Sequence, residues 1–240
     1  MMPPVDIGER LDTVLETIAA AAARSGRVRR DITLVAVTKT HPVSILREFS
    51  KHAAERSEPV IFGENYIQEI KAKRPEIEPS AEIHLIGPLQ SNKVRDAVKL
   101  CDVIQSAHSL KVLEQIAAEA GRISKRQRIY LQVNISDDAA KSGFCEDELP
   151  TAIQLVRQSS ATLQLEGLMT ITAFYDHPQD ARPDFRKMAE LRERLVARGD
   201  LIAFHEGRIR LSMGMSADFA IAIEEGADLV RVGTALFGER

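Results

Sequence analysis

The stretch "ITLVAVTKTHPVSILREFSKHAAER" (residues 32–56) changes its hydrophobic period halfway along. Up to Lys39 it is a near-continuous apolar run rich in Val, the composition of a strand buried on both faces. Pro42 cannot carry a strand ladder further, and the residues after it offer an apolar stripe with a charged back, which reads as a helix. The same unit recurs along the chain. Further apolar runs stand at "VIFGEN" (60–65), "IHLIGPL" (83–89), "DVIQSA" (102–107), "IYLQVNIS" (129–136), "LEGLMTI" (165–171), "IRLSMG" (209–214) and "LVRVGT" (229–234). Between them lie amphipathic segments such as "SNKVRDAVKLC", "SLKVLEQIAAEAG" and "PDFRKMAELRERLVARG". Ser91, Ser109 and Ser216 read as helix starts, and Gly121, Gly199 and Gly226 as helix stops.

Eight strands alternating with helices predict a parallel sheet covered by helices, closed into a single-domain (β/α)8 barrel over residues 1–240. No helix remains to follow the eighth strand. The amphipathic segment 5–25, with Leu11, Val14, Leu15, Ile18 and Ala22 on one face, is expected to fill that place in the outer ring. An open doubly wound sheet is the alternative, but the first strand is not followed by its glycine-rich G-x-G-x-x-G turn.

Composition excludes several function classes. A formal net charge of -3 argues against nucleic acid or an anionic membrane as partner. The two cysteines, Cys101 and Cys145, stand in no metal-ligand spacing, which argues against a zinc site or disulfide framework and fits a reducing cytoplasm. No signal peptide is expected in "MMPPVDIGER", and "TIAAAAARSG" is too short to span a bilayer.

In this architecture the strand ends build the functional face. Two of them resemble phosphate cups: "SMGMSADF", where Gly214 precedes a helix start, and "RVGTALFG", where Gly233 and Thr234 end the eighth strand. Opposite them stands Lys39. An ammonium in water is a poor nucleophile, but an amine in a dry neighbourhood can add to an aldehyde. A lysine facing a phosphate cup suggests a phosphorylated carbonyl compound, which suits lysine-based aldolases and pyridoxal 5'-phosphate proteins alike. The bland alternative is a lysine snorkelling at the barrel rim. Arg231 shares a strand face with Gly233 and needs an acceptor, either a pyridine nitrogen or a carboxylate of the chain. His41 reads as a solvated loop residue and His84 as a hydrogen-bonded barrel histidine. Met169, Met213 and Met215 read as packing around a ligand, and Lys141 as a second lysine within reach of an aldehyde.

The motifs "LVAVTKTHP", "FGENYIQE", "HLIGPLQSNK", "KSGF", "GLMTI", "LSMGMSADF" and "VRVGTALFG" carry a resemblance over nearly the whole chain. The sequence resembles the YggS/PROSC family of pyridoxal-phosphate-binding homeostasis proteins, whose fold is similar to the barrel domain of alanine racemase. The resemblance implies that Lys39 holds pyridoxal 5'-phosphate as a Schiff base. It also implies that Ser212 holds the phosphate through its hydroxyl, and that Gly233 and Thr234 donate to that phosphate. Arg231 would face the pyridine nitrogen and Asn65 would lie beside the cofactor. An arginine at that nitrogen keeps it unprotonated and makes the ring a weaker electron sink. Alanine racemase adds a β-rich domain bearing a tyrosine base. No such domain is expected after "ALFGER", and Tyr66, Tyr130 and Tyr175 do not supply it. The implied role is a non-catalytic cofactor carrier acting in vitamin B6 homeostasis, with apo pyridoxal-phosphate enzymes as recipients. The cysteine usage adds a cytoplasmic setting and no metal, and the lack of an exposed apolar stripe adds a monomer. A single-domain amino-acid racemase is the alternative.

Overall fold

Each of the eight apolar runs forms a strand in the computed structural model, which describes residues 6–138, 141–200 and 209–239. The strands are β1 (Thr33–Val37), β2 (Ile61–Glu64), β3 (Glu82–Leu85), β4 (Val103–Ala107), β5 (Gln127–Val133), β6 (Leu163–Thr170), β7 (Arg210–Ser212) and β8 (Leu229–Val232). They pair in parallel, in chain order, and β8 pairs with β1, so the sheet closes as a barrel. In the closing pair Val35 lies opposite Arg231.

Alternation along the strands divides the core in two. Val35, Ile61, Val103, Tyr130, Met169 and Leu229 face inward and plug the lower lumen. Leu34, Ala36, Phe62, Ile104, Leu131, Leu168, Val230 and Val232 face outward and pack under the helices. The outer ring comprises α1 (Ile7–Arg24), α2 (Val43–Glu55), α3 (Ile67–Lys73), α4 (Val94–Leu100), α5 (Leu110–Arg122), α6 (Leu149–Gln158), α7 (Arg182–Ala197) and α8 (Phe219–Glu224), with a short α9 (Thr234–Phe237) after β8. Helix α1 packs against α8, α9 and α2 and so occupies the expected gap, although the four-residue α9 does follow β8, where the sequence left no helix. Its start, placed by sequence at residue 5, falls outside the described residues; Asp6 caps it by accepting from the Glu9 amide at 3.0 Å.

Three local expectations are corrected. Ser91 opens a short 3-10 turn, Ser91–Lys93, without capping it. Gly121 lies inside α5, and the left-handed residue that ends that segment is Ser124, at φ 52°. Ser216 does not cap α8, which begins at Phe219. Ser109 does cap α5, its hydroxyl accepting from the Val112 amide at 3.4 Å. Gly199 and Gly226, at φ 73° and 105°, follow α7 and α8 as the sequence predicts.

Candidate functional site

Lys39 stands where the inward-facing line of β1 leaves the barrel: Val35 and Val37 face the lumen, and Lys39 is the next residue of that parity. It lies in a turn past the strand end and is half-buried. With Asn65, Ser216, Ala217, Arg231 and Gly233 it lines a cavity of about 460 Å³ at the C-terminal mouth.

The turn is held from outside the sheet. Thr40 has φ 65°, a left-handed backbone unfavourable for a β-branched residue. Its amide donates to Glu69 Oε2 at 2.6 Å. Lys73, at the end of α3, donates to the Thr38 carbonyl (2.8 Å), Glu64 Oε1 (2.7 Å) and Glu69 Oε2 (2.8 Å). The Thr38 hydroxyl donates to Glu64 Oε1 at 2.7 Å. Both neighbours of Lys39 are thus tied to one buried ionic cluster. Burial pushes the Glu64 carboxyl above its ordinary value, while the bonds from Lys73 and Thr38 pull it back. Sequence reading missed this cluster. Its signal was an acid closing a strand, followed nine residues later by a lysine ending the next helix.

The opposite wall comes from the loops after β7 and β8. Gly214 sits at φ +92°, and a Cβ there would lie 2.6 Å from the Ala222 Cβ. The turn it starts is closed by the Met215 amide donating to Asp218 Oδ1 at 2.6 Å. The amides of Ser216, Ala217 and Thr234 have no acceptor among the described residues. The Ser216 hydroxyl accepts from the Gly233 amide (3.0 Å) and the Ala235 amide (3.4 Å), stitching the two loops together. Ser212 is not on this wall. It is fully buried below it, donating to Gln105 Oε1 (2.6 Å) and accepting from Arg231 (2.8 Å). The hydroxyl at the cup is that of Ser216, because the Gly214 turn lifts Ser216 to the rim while strand parity sends Ser212 into the lumen.

Arg231 forms the floor and is 3% exposed. One guanidinium nitrogen donates to Ser212 and another to the Thr170 carbonyl, at 2.7 Å. Its two partners are neutral oxygens, and no carboxylate is at ion-pair distance among the described residues. Burial pushes its pKa down to about 10, with Asp218 acting the other way, so it stays charged at neutral pH. A guanidinium has five donors; two are engaged here and the rest remain for a ligand. Asn65 is fixed by the close approach of Gly87, where a Cβ would lie 2.4 Å from the Asn65 carbonyl oxygen.

The remaining residues scatter. Lys141 donates to the Thr172 carbonyl and does not line the cavity. The three methionines do not cluster: Met169 is in the lumen, Met213 under the helices, and Met215 on the cavity wall. His84 is the hydrogen-bonded barrel residue its strand position implies. His41 lines the cavity and packs against Phe237, with ring centroids 5.1 Å apart. Among the described residues no helix is long and apolar enough to cross a membrane, and no three His, Cys, Asp or Glu gather as a metal site.

A closed parallel barrel carrying a lysine over an amide-lined cavity defines the class of protein. The sequence matches the family described as "Alanine racemase, N-terminal domain" over residues 11–240. It is 36% identical over 233 residues to the pyridoxal phosphate homeostasis protein of Aquifex aeolicus, covering 97% of each chain. To that of Pseudomonas aeruginosa it is 37% identical over 235 residues, covering 98% of this chain and 96% of the relative. The solved structure of PipY from Synechococcus elongatus PCC7942 with PLP bound superposes with a TM-score of 0.80 at 31% identity, covering 97% of this chain and 100% of PipY. The chain therefore belongs to the alanine racemase N-terminal-domain family, within its group of pyridoxal phosphate homeostasis proteins.

Proposed function

We propose that this chain binds pyridoxal 5'-phosphate at the barrel mouth, anchored covalently on Lys39, and holds and passes on the cofactor in vitamin B6 homeostasis. The observation that carries the reading is the convergence of an amine, unpaired amides and a donor-rich guanidinium on one cavity. The residues fit the group. A volume of about 460 Å³ lies within the range of small-molecule sites. The Ser216, Ala217 and Thr234 amides, with the Ser216 hydroxyl and the Gly233 turn, would hold the phosphate. Arg231 would donate to the ring nitrogen, and Asn65 would border the ring.

When bound, the cofactor supplies an aldehyde that condenses reversibly with an amine, releasing water. Lys39 is the amine placed for this, and the cluster around Thr38 and Thr40 fixes where it stands. A reactive aldehyde so held is kept from other amines of the cell. The names of the relatives and the PLP-bound PipY support the reading. We place the protein in the cytoplasm as a monomer, one barrel over 1–240, with apo pyridoxal-phosphate enzymes as recipients. The second reading is an amino-acid racemase, which needs an acid or base on each face of the substrate α-carbon. His41 on the cavity wall is the group that favours it. Solvent deuterium entering amino-acid α-positions, and lost in Lys39→Ala, would establish that activity.

The test of the first reading mixes wild type and Lys39→Ala with pyridoxal phosphate, records absorption, reduces with borohydride and maps the adduct. An adduct on Lys39, absent from the variant, is the expected result. An adduct elsewhere, at Lys141 for instance, overturns it. Delivery is tested separately: loaded protein must activate an apo-enzyme faster than the same concentration of free cofactor.

A further inference from the structure

Below the cavity a single file of hydrogen bonds runs through the barrel interior. Arg231 donates to Ser212 Oγ (2.8 Å), and Ser212 donates to Gln105 Oε1 (2.6 Å). Gln105 Nε2 lies 2.8 Å from His84 Nδ1, and His84 Nε2 lies 3.0 Å from Glu82 Oε2. Glu82 Oε1 accepts from Arg128 at 2.9 Å, and Arg128 also binds Glu166. Arg231, Ser212, Gln105 and His84 are all buried, so water does not replace a broken link. Glu82 is the first residue of β3, at the barrel end opposite the cavity.

Each link fixes the proton of the next. A guanidinium only donates, so the Ser212 oxygen accepts from it and gives its own proton to the Gln105 carbonyl. Gln105 then presents its NH2 group to His84. The His84 Nδ1 must be bare, and the ring proton sits on Nε2, where the Glu82 carboxylate accepts it. His84 above all, and Arg128, hold the Glu82 carboxyl down to about 2 against burial, so this end of the file is a permanent acceptor. Turning Gln105 over would aim two donors at Ser212 and leave the serine proton without its acceptor.

We propose that His84 and Gln105 are positioning residues that act through Ser212, holding Arg231 in one orientation with its unused donors toward the ring nitrogen, and that Glu82 anchors the acceptor end of the file. The proposal rests on the cofactor reading above. It implies that a change at the far end of the barrel is felt at the ring.

Two measurements test it. In the protein without cofactor, long-range ¹H–¹⁵N NMR should show His84 as the Nε2–H tautomer. The Nδ1–H tautomer overturns the proposal. With cofactor labelled at the pyridine nitrogen, Gln105→Met should bind about tenfold more weakly, as for one lost charged hydrogen bond, and move the ¹⁵N signal. The borohydride adduct should still form on Lys39. Ser216→Ala should weaken binding without moving that signal, which separates positioning of Arg231 from general loss of the site. A wild-type ¹⁵N position in Gln105→Met overturns the proposal. Should Gln105→Met not fold, Glu82→Gln at the rim should leave His84 as the Nε2–H tautomer but weaken its bond, shifting the His84 Nε2 signal and giving a smaller cofactor ¹⁵N change, and no change in either sinks the idea. If wild type takes up no labelled cofactor, the cofactor reading fails, while the tautomer still decides whether the file runs as described.

Discussion

Lys73→Met is the sharpest test of how the Lys39 turn is held. The substitution keeps most of the stem and removes the ammonium that binds Glu64, Glu69 and the Thr38 carbonyl. Glu64 is fully buried, and its Oε2 already lacks a partner. Stranding one member of a buried ion pair typically costs about 3–5 kcal/mol. Here protonation sets a ceiling on the charge term. Protonating a carboxyl of ordinary value 4.5 costs about 3.4 kcal/mol at pH 7 and about 0.8 at pH 5. The folded-state value of Glu64 is raised, so the folded protein binds more protons than the unfolded chain, and stability falls as pH rises above 4.5. Lys73→Met strengthens that effect. Its destabilisation in urea should be about 3–4 kcal/mol at pH 7 and smaller at pH 5, by up to about 2.5 kcal/mol. Adding Glu64→Gln should remove most of the pH dependence. A loss that is equal at both pH values, or below about 1 kcal/mol at pH 7, would refute the argument that Lys73 neutralises a buried carboxylate under the turn.

Four further outcomes concern two serines and two glycines. Ser216→Ala removes the acceptor of the Gly233 and Ala235 amides and should weaken pyridoxal phosphate binding about tenfold while changing pyridoxal binding little. Ser212→Ala should lose the two forms about equally, because its hydroxyl meets Gln105 and Arg231 instead; equilibrium dialysis with both ligands separates the two serines. Gly214→Ala puts a side chain at φ +92° with its Cβ 2.6 Å from the Ala222 Cβ, and should destabilise by about 3 kcal/mol in urea. Gly26→Ala, at φ +71° with nothing within 4 Å, should cost about 1 kcal/mol.

The barrel was legible because each strand announces itself twice, by an apolar run and by the helix after it. Lys39 and Arg231 were legible by parity: counting in twos from Val35 and Leu229 brings each into the lumen line. The serines were not. Whether Ser212 or Ser216 meets the cavity depends on the turn at Gly214, and a glycine in sequence does not say how far the chain rises before its helix starts. Gly121 misled for a related reason. A glycine is tolerated in a last helical turn, and the chain waits for Ser124 to take the left-handed position. The ionic cluster escaped because Glu69 and Lys73 look like ordinary i,i+4 surface charges on a helix.

The polar residues that interrupt these buried strands nevertheless carry more information than the apolar ones around them. A fully parallel barrel would accept aliphatic side chains at nearly every strand position, and a buried polar group is tolerated only when its bonds are met. Thr38, Glu64, His84, Gln105, Ser212 and Arg231 are all buried at strands or their ends. Strand parity sorts them into two sets. Thr38 and Glu64 point outward, where α3 supplies the charge that fixes the Lys39 turn. His84, Gln105, Ser212 and Arg231 point inward and bond in sequence from one end of the lumen to the other. One set ends beside Lys39 and the other at Arg231, and both residues line the cavity. The amine is fixed from outside the sheet and the guanidinium from inside it, so the strands between them separate two supports for a single site.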